Sequence, residues 1–373
     1  MAVEPQAGGD EGAELSAVIR RRIVEAGGWW PFDRYMEAAL YTPGLGYYSR
    51  GARQFGLMPS SGSDFVTAPE LSPLFGAALA RQVVQLLDAT GTAEVVEFGA
   101  GSGALASQLL HALGDRLRRY SIIDLSGTLR ERQATTLAAW ADRVRWLDAL
   151  PDRIEGVVVG NEVLDAMPVQ RLHFDGDAWH ERGVTVTRVG RLAWQDRPTD
   201  LRPPLAAAFV PGTTTEIHLQ ARAFVHTLSE TLTRGALLFI DYGFPEAEYW
   251  HPQRREGTLV AHRAHRTELD EGALLQDLGS KDITAHVDFT GIALAAQDAG
   301  LEVLGYTSQG RFLLNCGLSE LMASASLPAR THAHKLMAEH EMGELFKVLL
   351  LGRGLPAAFV PIGFAAGDRT HRL

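Results

Sequence analysis

Glu97, Gly99, Gly101 and Gly103 are the residues whose types and spacing most directly imply chemistry. A β-branched run, Val95-Val96, ends in the acid Glu97. The chain then breaks into three glycines at alternate positions before Ala104-Leu105-Ala106-Ser107-Gln108-Leu109-Leu110, which reads as a helix with an apolar stripe. Strand, glycine turn and helix open a βαβ nucleotide site. Glycine permits the tight turn and close approach of a ligand to the backbone, and free N–H groups at the helix start face a polar or anionic group. Two ligand classes fit. Gly99-Ala100-Gly101-Ser102-Gly103-Ala104 satisfies G-x-G-x-x-G/A, which leaves a dinucleotide open on the glycines alone. The third glycine and the acid at the strand end favour a nucleoside with a positively charged amino acid end, because an acid repels a pyrophosphate. A glycine-rich turn without any ligand is the plainer alternative.

The elements that must position these residues begin with Tyr120-Ser121-Ile122-Ile123, a second strand ending in Asp124. An acid there is placed to receive both hydroxyls of an adenosine ribose, or else to cap the next helix. Val144-Arg145-Trp146 is a weak third strand. Gly156-Val157-Val158-Val159-Gly160 is a clear fourth, running into Asn161-Glu162-Val163-Leu164-Asp165, and Ala236 to Gly243 is a fifth with Asp241 near its end. Upstream, helices are expected over 14–26, from Pro31 to Leu40, and from Ser72 and Pro73 to Leu87, with Ser72 as N-cap. Between them, 45–69 is a long loop rich in Gly, Ser and aromatics, a length associated with function. Residues 170–196 break the βα rhythm and read as antiparallel hairpins turning at Asp175-Gly176 and Gly190. Downstream, 244–285 reads as loop, 291–299 as a helix capped by Asp288 or Thr290, 301–306 and 311–315 as closing antiparallel strands, and 331–351 as helix. The corresponding domains are a floppy leader (1–13), a helical lid region (14–90), a nucleotide-binding domain (91–320) and a helical C-terminal cap (321–373).

Composition bounds the function. The 373 residues are 46% hydrophobic, ample for a core, yet no apolar run approaches the ~18 residues of a membrane span. The acidic N-terminus lacks the apolar core of a signal peptide. One cysteine, Cys316, excludes a disulfide framework and suggests a reducing cytoplasm; after Phe312-Leu313-Leu314 it reads as a buried strand thiol. A net charge of −10 argues against nonspecific nucleic-acid binding and suits a basic protein or peptide partner. His262-Arg263-Ala264-His265 and His332-Ala333-His334 lack the companion ligands of a metal site, so no metal is expected.

Several segments together resemble one family, the MidA-like methyltransferases, which has a mitochondrial branch that methylates a protein arginine during respiratory complex I assembly. The resemblance is carried by Tyr41-Thr42-Pro43 with Gly46-Tyr47-Tyr48, by Asp64 to Glu70, by Glu97 to Gly103, and by Asn161 to Val169. It continues through Asp241-Tyr242-Gly243, Gly257-Thr258-Leu259, Asp282 to Thr290, and Glu341 to Lys347. The family usually has glycine where this chain has Ser63, with Gly62 one place earlier.

The resemblance implies a class I Rossmann-like α/β methyltransferase using S-adenosylmethionine. Its fold would be a mostly parallel seven-stranded sheet with a helical N-terminal lid, an antiparallel β insertion and a helical C-terminal cap. Gly99, Ala100, Gly101 and Gly103 would form the cofactor turn, Glu97 would face the amino acid end and Asp124 the ribose, with Leu125 and Ser126 beside the adenosine. Thr67 and Pro69 would fold over the ligand, or else belong to a surface loop.

Asn161, Glu162 and Asp165 lie where open α/β sheets bind ligands. A carboxylate there can hold a guanidinium acceptor by paired hydrogen bonds, with Glu162 first and Asp165 second; capping the following turn is the alternative. His286 and Asp288 suit hydrogen bonding in the core better than catalysis. A protein acceptor, arginine above all, is therefore expected, with a respiratory-complex or other assembly partner compatible with the resemblance. Its rivals are a small hydroxyl or amine acceptor and a non-enzymatic assembly factor. A homodimer through strand pairing of 170–196 is compatible with the sequence.

Overall fold

The apolar runs Val95-Val96, Ile122-Ile123 and Val157-Val158-Val159 are continuous rather than alternating, as strands covered on both faces require. In the computed structural model, which describes residues 8–49, 67–124, 127–205, 208–263, 266–268 and 270–373, they form the centre of a mixed sheet. Its strands are β1 (Glu94–Phe98), β2 (Arg119–Ile123), β3 (Val144–Leu147), β4 (Ile154–Asn161), β5 (Leu232–Phe244), β6 (Glu302–Ser308) and β7 (Phe346–Arg353), in the order β6-β7-β5-β4-β1-β2-β3. An eighth short strand, Val287–Asp288, pairs parallel with the end of β5. Val157 and Val159 face one helical layer, with Leu79 and Val83 of the helix Pro73–Thr90 and Leu105 and Leu109 of the helix Ala104–Leu113. Val158 faces the other, with Val225 of Leu219–Thr231 and Ile292 of Phe289–Asp298. Both helix starts at 73 and 289 are side-chain capped: Ser72 accepts from the Leu74 N–H and Asp288 from the Gly291 N–H.

Five expectations are corrected. The strand beside β5 is Phe346–Arg353, read above as helix, and it runs antiparallel to both β5 and β6. Residues 311–315 are instead helical, within Gln309–Asn315. A short apolar run is compatible with either state, and pairing decides: all of Phe346 to Leu351 is buried, whereas Arg311 and Leu314 are exposed beside buried Phe312 and Leu313, a one-sided helical pattern. The C-terminal region is thus not a wholly helical cap, since the helix Leu327–Met337 leads to a strand of the central sheet. Cys316, though buried, closes a helix rather than lying in a strand. Finally, residues 8–13 of the expected leader belong to the helix Gly8–Glu25.

The antiparallel region extends past residue 196. Strands Gln170–Phe174, Trp179–Val186, Leu192–Pro198 and Thr214–Ile217 are joined by Trp29–Pro31 from the N-terminus, in a five-stranded sheet. The stretch 244–285, read as loop, holds a further small sheet of Val260–Arg263, Arg266–Glu268 and Asp282–Thr284. Among the described residues no helix is long and apolar enough to cross a membrane, and no cluster of His, Cys, Asp and Glu is arranged to hold a metal.

Candidate active site

At the end of β1 the backbone takes the left-handed region three times, at Gly99 (φ 62°), Gly101 (φ 53°) and Gly103 (φ 82°), and Gly103 starts the helix Ala104–Leu113. Only glycine adopts these conformations without penalty. Glu97, 2% exposed, accepts a hydrogen bond from the Tyr120 hydroxyl at 2.6 Å. Burial, reinforced by the nearby Asp124, pushes its carboxyl up to about 8 against the opposing pull of that hydroxyl.

A residue with no signal in the sequence ties this corner together. Gln133, fully buried, donates to the Asp124 carboxylate at 2.9 Å and to the Gly101 carbonyl at 3.1 Å, and accepts from the Trp146 indole N–H at 2.9 Å. One amide thus fixes the acid of β2 relative to the glycine turn of β1.

The end of β4 is organised by Asp241 of β5. Its Oδ2 accepts from the N–H groups of Val163, Leu164 and Asp165 at 3.1, 2.9 and 3.3 Å, which folds the chain back after Asn161. This fold-back holds Glu162 at φ 55°, a conformation that costs a non-glycine residue roughly 1–3 kcal/mol and collects at functional sites. Asn161 Nδ2 donates to Glu162 Oε1 at 3.0 Å. Burial and the neighbouring Asp165 raise the Glu162 carboxyl to about 8 despite hydrogen bonds from Asn161 and the Ala68 backbone. Burial also raises Asp165, to about 6, although the Tyr242 hydroxyl donates to it.

Thr67 precedes the short helix Ala68–Leu71, and Gln108 bridges that helix to the one after the glycine turn. Its Nε2 donates to the Pro69 carbonyl at 2.7 Å and its Oε1 accepts from the Gly76 N–H at 2.9 Å.

These parts enclose a cavity of about 1390 Å³. Thr67, Pro69, Glu97, Gly99, Ala100, Gly101, Asp124, Asn161, Glu162 and Asp165 all line it; Gly103 does not and acts through the helix start instead. Leu125, Ser126 and residues 50–66 of the long loop lie outside the described residues. Tyr41, Tyr48, Tyr242, Asp282 and Glu341 join the lining, although the sequence reading gave them no individual role. Among the described lining residues there are eight carboxylates (Glu37, Glu70, Glu97, Asp124, Glu162, Asp165, Asp282 and Glu341) against one lysine, Lys335, and no arginine.

Residues 78–307 match the profile of a family described as "Putative S-adenosyl-L-methionine-dependent methyltransferase". The chain belongs to this family. A crystal structure of a "likely methyl transferase" from Burkholderia thailandensis bound to S-adenosyl-homocysteine is 50% identical, with full coverage of both chains and a TM-score of 0.94. Curated relatives include the mitochondrial protein arginine methyltransferase NDUFAF7 of Homo sapiens, 26% identical over 92% of this chain and 85% of that one. The Caenorhabditis elegans homolog is also 26% identical, over 76% and 72%.

For a methyltransferase dependent on S-adenosylmethionine the cavity is chemically apt. That molecule carries a sulfonium and an ammonium, and the walls offer buried acceptor oxygens still lacking a hydrogen-bond partner: Glu70 Oε2 and Asp165 Oδ1 of two carboxyl groups, and the amide Asn161 Oδ1. A pH dependence follows. Glutamates ordinarily titrate near about 4.3, so raised carboxyls at Glu97 and Glu162 keep protons in the folded state that the unfolded chain releases. Their contribution is complete below the unfolded value and is lost as pH rises through about 8. Burial depresses His218 to about 3 and His286 to about 4, which acts in the opposite sense below the ordinary histidine range. The methyltransferase without ligand is therefore expected to lose melting temperature between about pH 6.5 and 8.5, where histidines are neutral in both states. Stabilisation by S-adenosylmethionine should grow across the same range, as its cations draw the carboxyls into their charged forms. Melting curves with and without ligand check this, and a ligand shift independent of pH would count against it.

Proposed function

We propose that this methyltransferase modifies a protein side chain, with arginine the favoured acceptor. The observation that carries the reading is the cavity's charge: eight carboxylates against one lysine among its described lining residues suit two cations held together, the donor and a guanidinium. The chain's similarity to the NDUFAF7 protein arginine methyltransferases supports it, as does its net charge of −10, which favours a basic partner.

In this reading the Gly99-Ala100-Gly101 turn and the helix start at Gly103 receive the amino acid end of the donor beside Glu97, Asp124 holds the ribose hydroxyls, and Thr67 and Pro69 close the wall above. When bound, S-adenosylmethionine supplies an electrophilic methyl group on sulfur. The protein's own task is to hold the acceptor in line and exclude water. Glu162, aimed by Asn161, pairs with the guanidinium. As the N–C bond forms and the S–C bond breaks, the attacking nitrogen sheds a proton, which Glu162 is placed to take, with Asp165 as the second carboxylate at the same end. We also infer a reducing, cytoplasmic setting from the single buried cysteine.

A small hydroxyl acceptor is the second reading. It is favoured by His286, neutral on the cavity wall with Nδ1 lacking a hydrogen-bond partner and thus able to act as a base. Methyl-labelled S-adenosylmethionine incubated with proteome fractions and with small phenols separates the two. Label recovered as methylarginine after hydrolysis is the expected result, and label found only on small molecules would reject the protein reading.

A further inference from the structure

The acceptor end of the cavity contains three tyrosines from two distant parts of the chain, the N-terminal segment and β5, which share one arrangement. The Tyr41 hydroxyl donates to the Ala166 carbonyl at 2.8 Å, the Tyr48 hydroxyl to both oxygens of Asp282 at 2.9 Å, and the Tyr242 hydroxyl to Asp165 Oδ2. Each hydroxyl has therefore spent its one proton on the wall, and only oxygen lone pairs remain for a ligand. Two further atoms there are acceptors as well. Asp165 Oδ1 and Asn161 Oδ1, on side chains 4% and 9% exposed, have no hydrogen-bond partner, and one of the two Asn161 amide N–H groups is directed at Glu162. The Tyr41 and Tyr48 rings stack nearly parallel, 18° apart with centroids at 5.6 Å, and both residues line the cavity.

A wall dominated by acceptor oxygens, beside a pair of stacked aromatic rings, suits a planar cation with many N–H groups. A guanidinium has five donors in a fixed plane and stacks on aromatic faces; an ammonium has three donors and no plane. We infer that Tyr41, Tyr48 and Tyr242, with Asp165 and Asn161, form the specificity-determining wall that selects an arginine side chain over a lysine. The inference rests on the cationic-acceptor reading above and names the residues that would enforce it.

The test is calorimetric binding to the protein saturated with S-adenosylhomocysteine, using an arginine pentapeptide and its lysine and citrulline counterparts. The arginine peptide should bind about tenfold tighter than the lysine peptide, and each of Tyr48→Phe and Tyr41→Phe should weaken it about fivefold to tenfold, as loss of a hydrogen bond to a charged group implies. S-adenosylhomocysteine affinity should stay within about twofold, since the two hydroxyls bond the Ala166 carbonyl and Asp282 rather than the glycine turn, and the loss should fall on KM rather than kcat. Tyr41→Phe removes only a hydrogen bond to a backbone carbonyl, so it decides the matter if Tyr48→Phe perturbs folding through Asp282. Unchanged arginine binding in both variants would overturn the tyrosine wall while leaving the acceptor reading intact. Equal binding of citrulline, or no binding of the arginine peptide to the wild type, would overturn both.

Discussion

Replacing Glu162 by glutamine is expected to lower kcat by about 100-fold or more, the scale of losing a charged group that acts at the reacting centre. Affinity for S-adenosylhomocysteine should change by no more than about threefold, because the glycine turn and Asp124 lie elsewhere on the cavity wall. The geometry is specific to this residue. Three backbone N–H groups gathered on Asp241 force the fold-back that leaves Glu162 in the left-handed region, and Asn161 holds its carboxylate at 3.0 Å. Such strain is retained where the side chain is needed. A second variant exposes it: Glu162→Gly should melt higher than the wild type, by up to about 1 kcal/mol of relieved strain, and be as inactive as the glutamine variant. Single-turnover methylation with calorimetry and thermal melts reads all three quantities. A glutamine variant with near wild-type kcat would remove Glu162 from the chemistry.

The second large effect is expected at Gly101. With φ at 53° on the cavity wall, and its carbonyl tied to Gln133, this position has no room in conformational space for a β-branched residue. Gly101→Val should weaken S-adenosylhomocysteine binding by about 100-fold or more, since both the turn and the close approach of the ligand are lost. Binding of the valine variant at wild-type affinity, measured by calorimetry on a protein shown to be folded by circular dichroism, would place the ligand elsewhere. NADH serves as the control for the dinucleotide alternative and should bind to neither protein.

The parts of the site that were legible in the sequence are those built from a single stretch of chain. Glu97 with its glycines, Asp124 at a strand end and Asn161-Glu162 at another are each announced by an apolar run that stops at a polar residue, and all reach one cavity because parallel strands present their carboxyl ends on the same side. Gln133 and Gln108 were not legible. An amide in an amphipathic helix carries no sign that it will bond a carbonyl on another element, and the two bridges depend on how helices dock. The tyrosine wall was invisible for a related reason. Tyr242 joins Tyr41 and Tyr48 only after the N-terminal segment folds against the end of β5.

Local patterning by itself determined the strand–turn–helix at residues 94–113, the βα rhythm that continues from it, and the acids that end β1 and β2, because backbone propensity and glycine conformation act over a few residues. Tertiary structure alone decided that Phe346–Arg353 would be a strand, since an apolar run satisfies a helix or a sheet equally until a partner is present, and here β5 and β6 offer unpaired edges on either side. It likewise decided which carboxylates share a low-dielectric cavity. Burial there, with the neighbouring acids adding to it, raises Glu97 and Glu162 to about 8 and makes the pocket a place for cations.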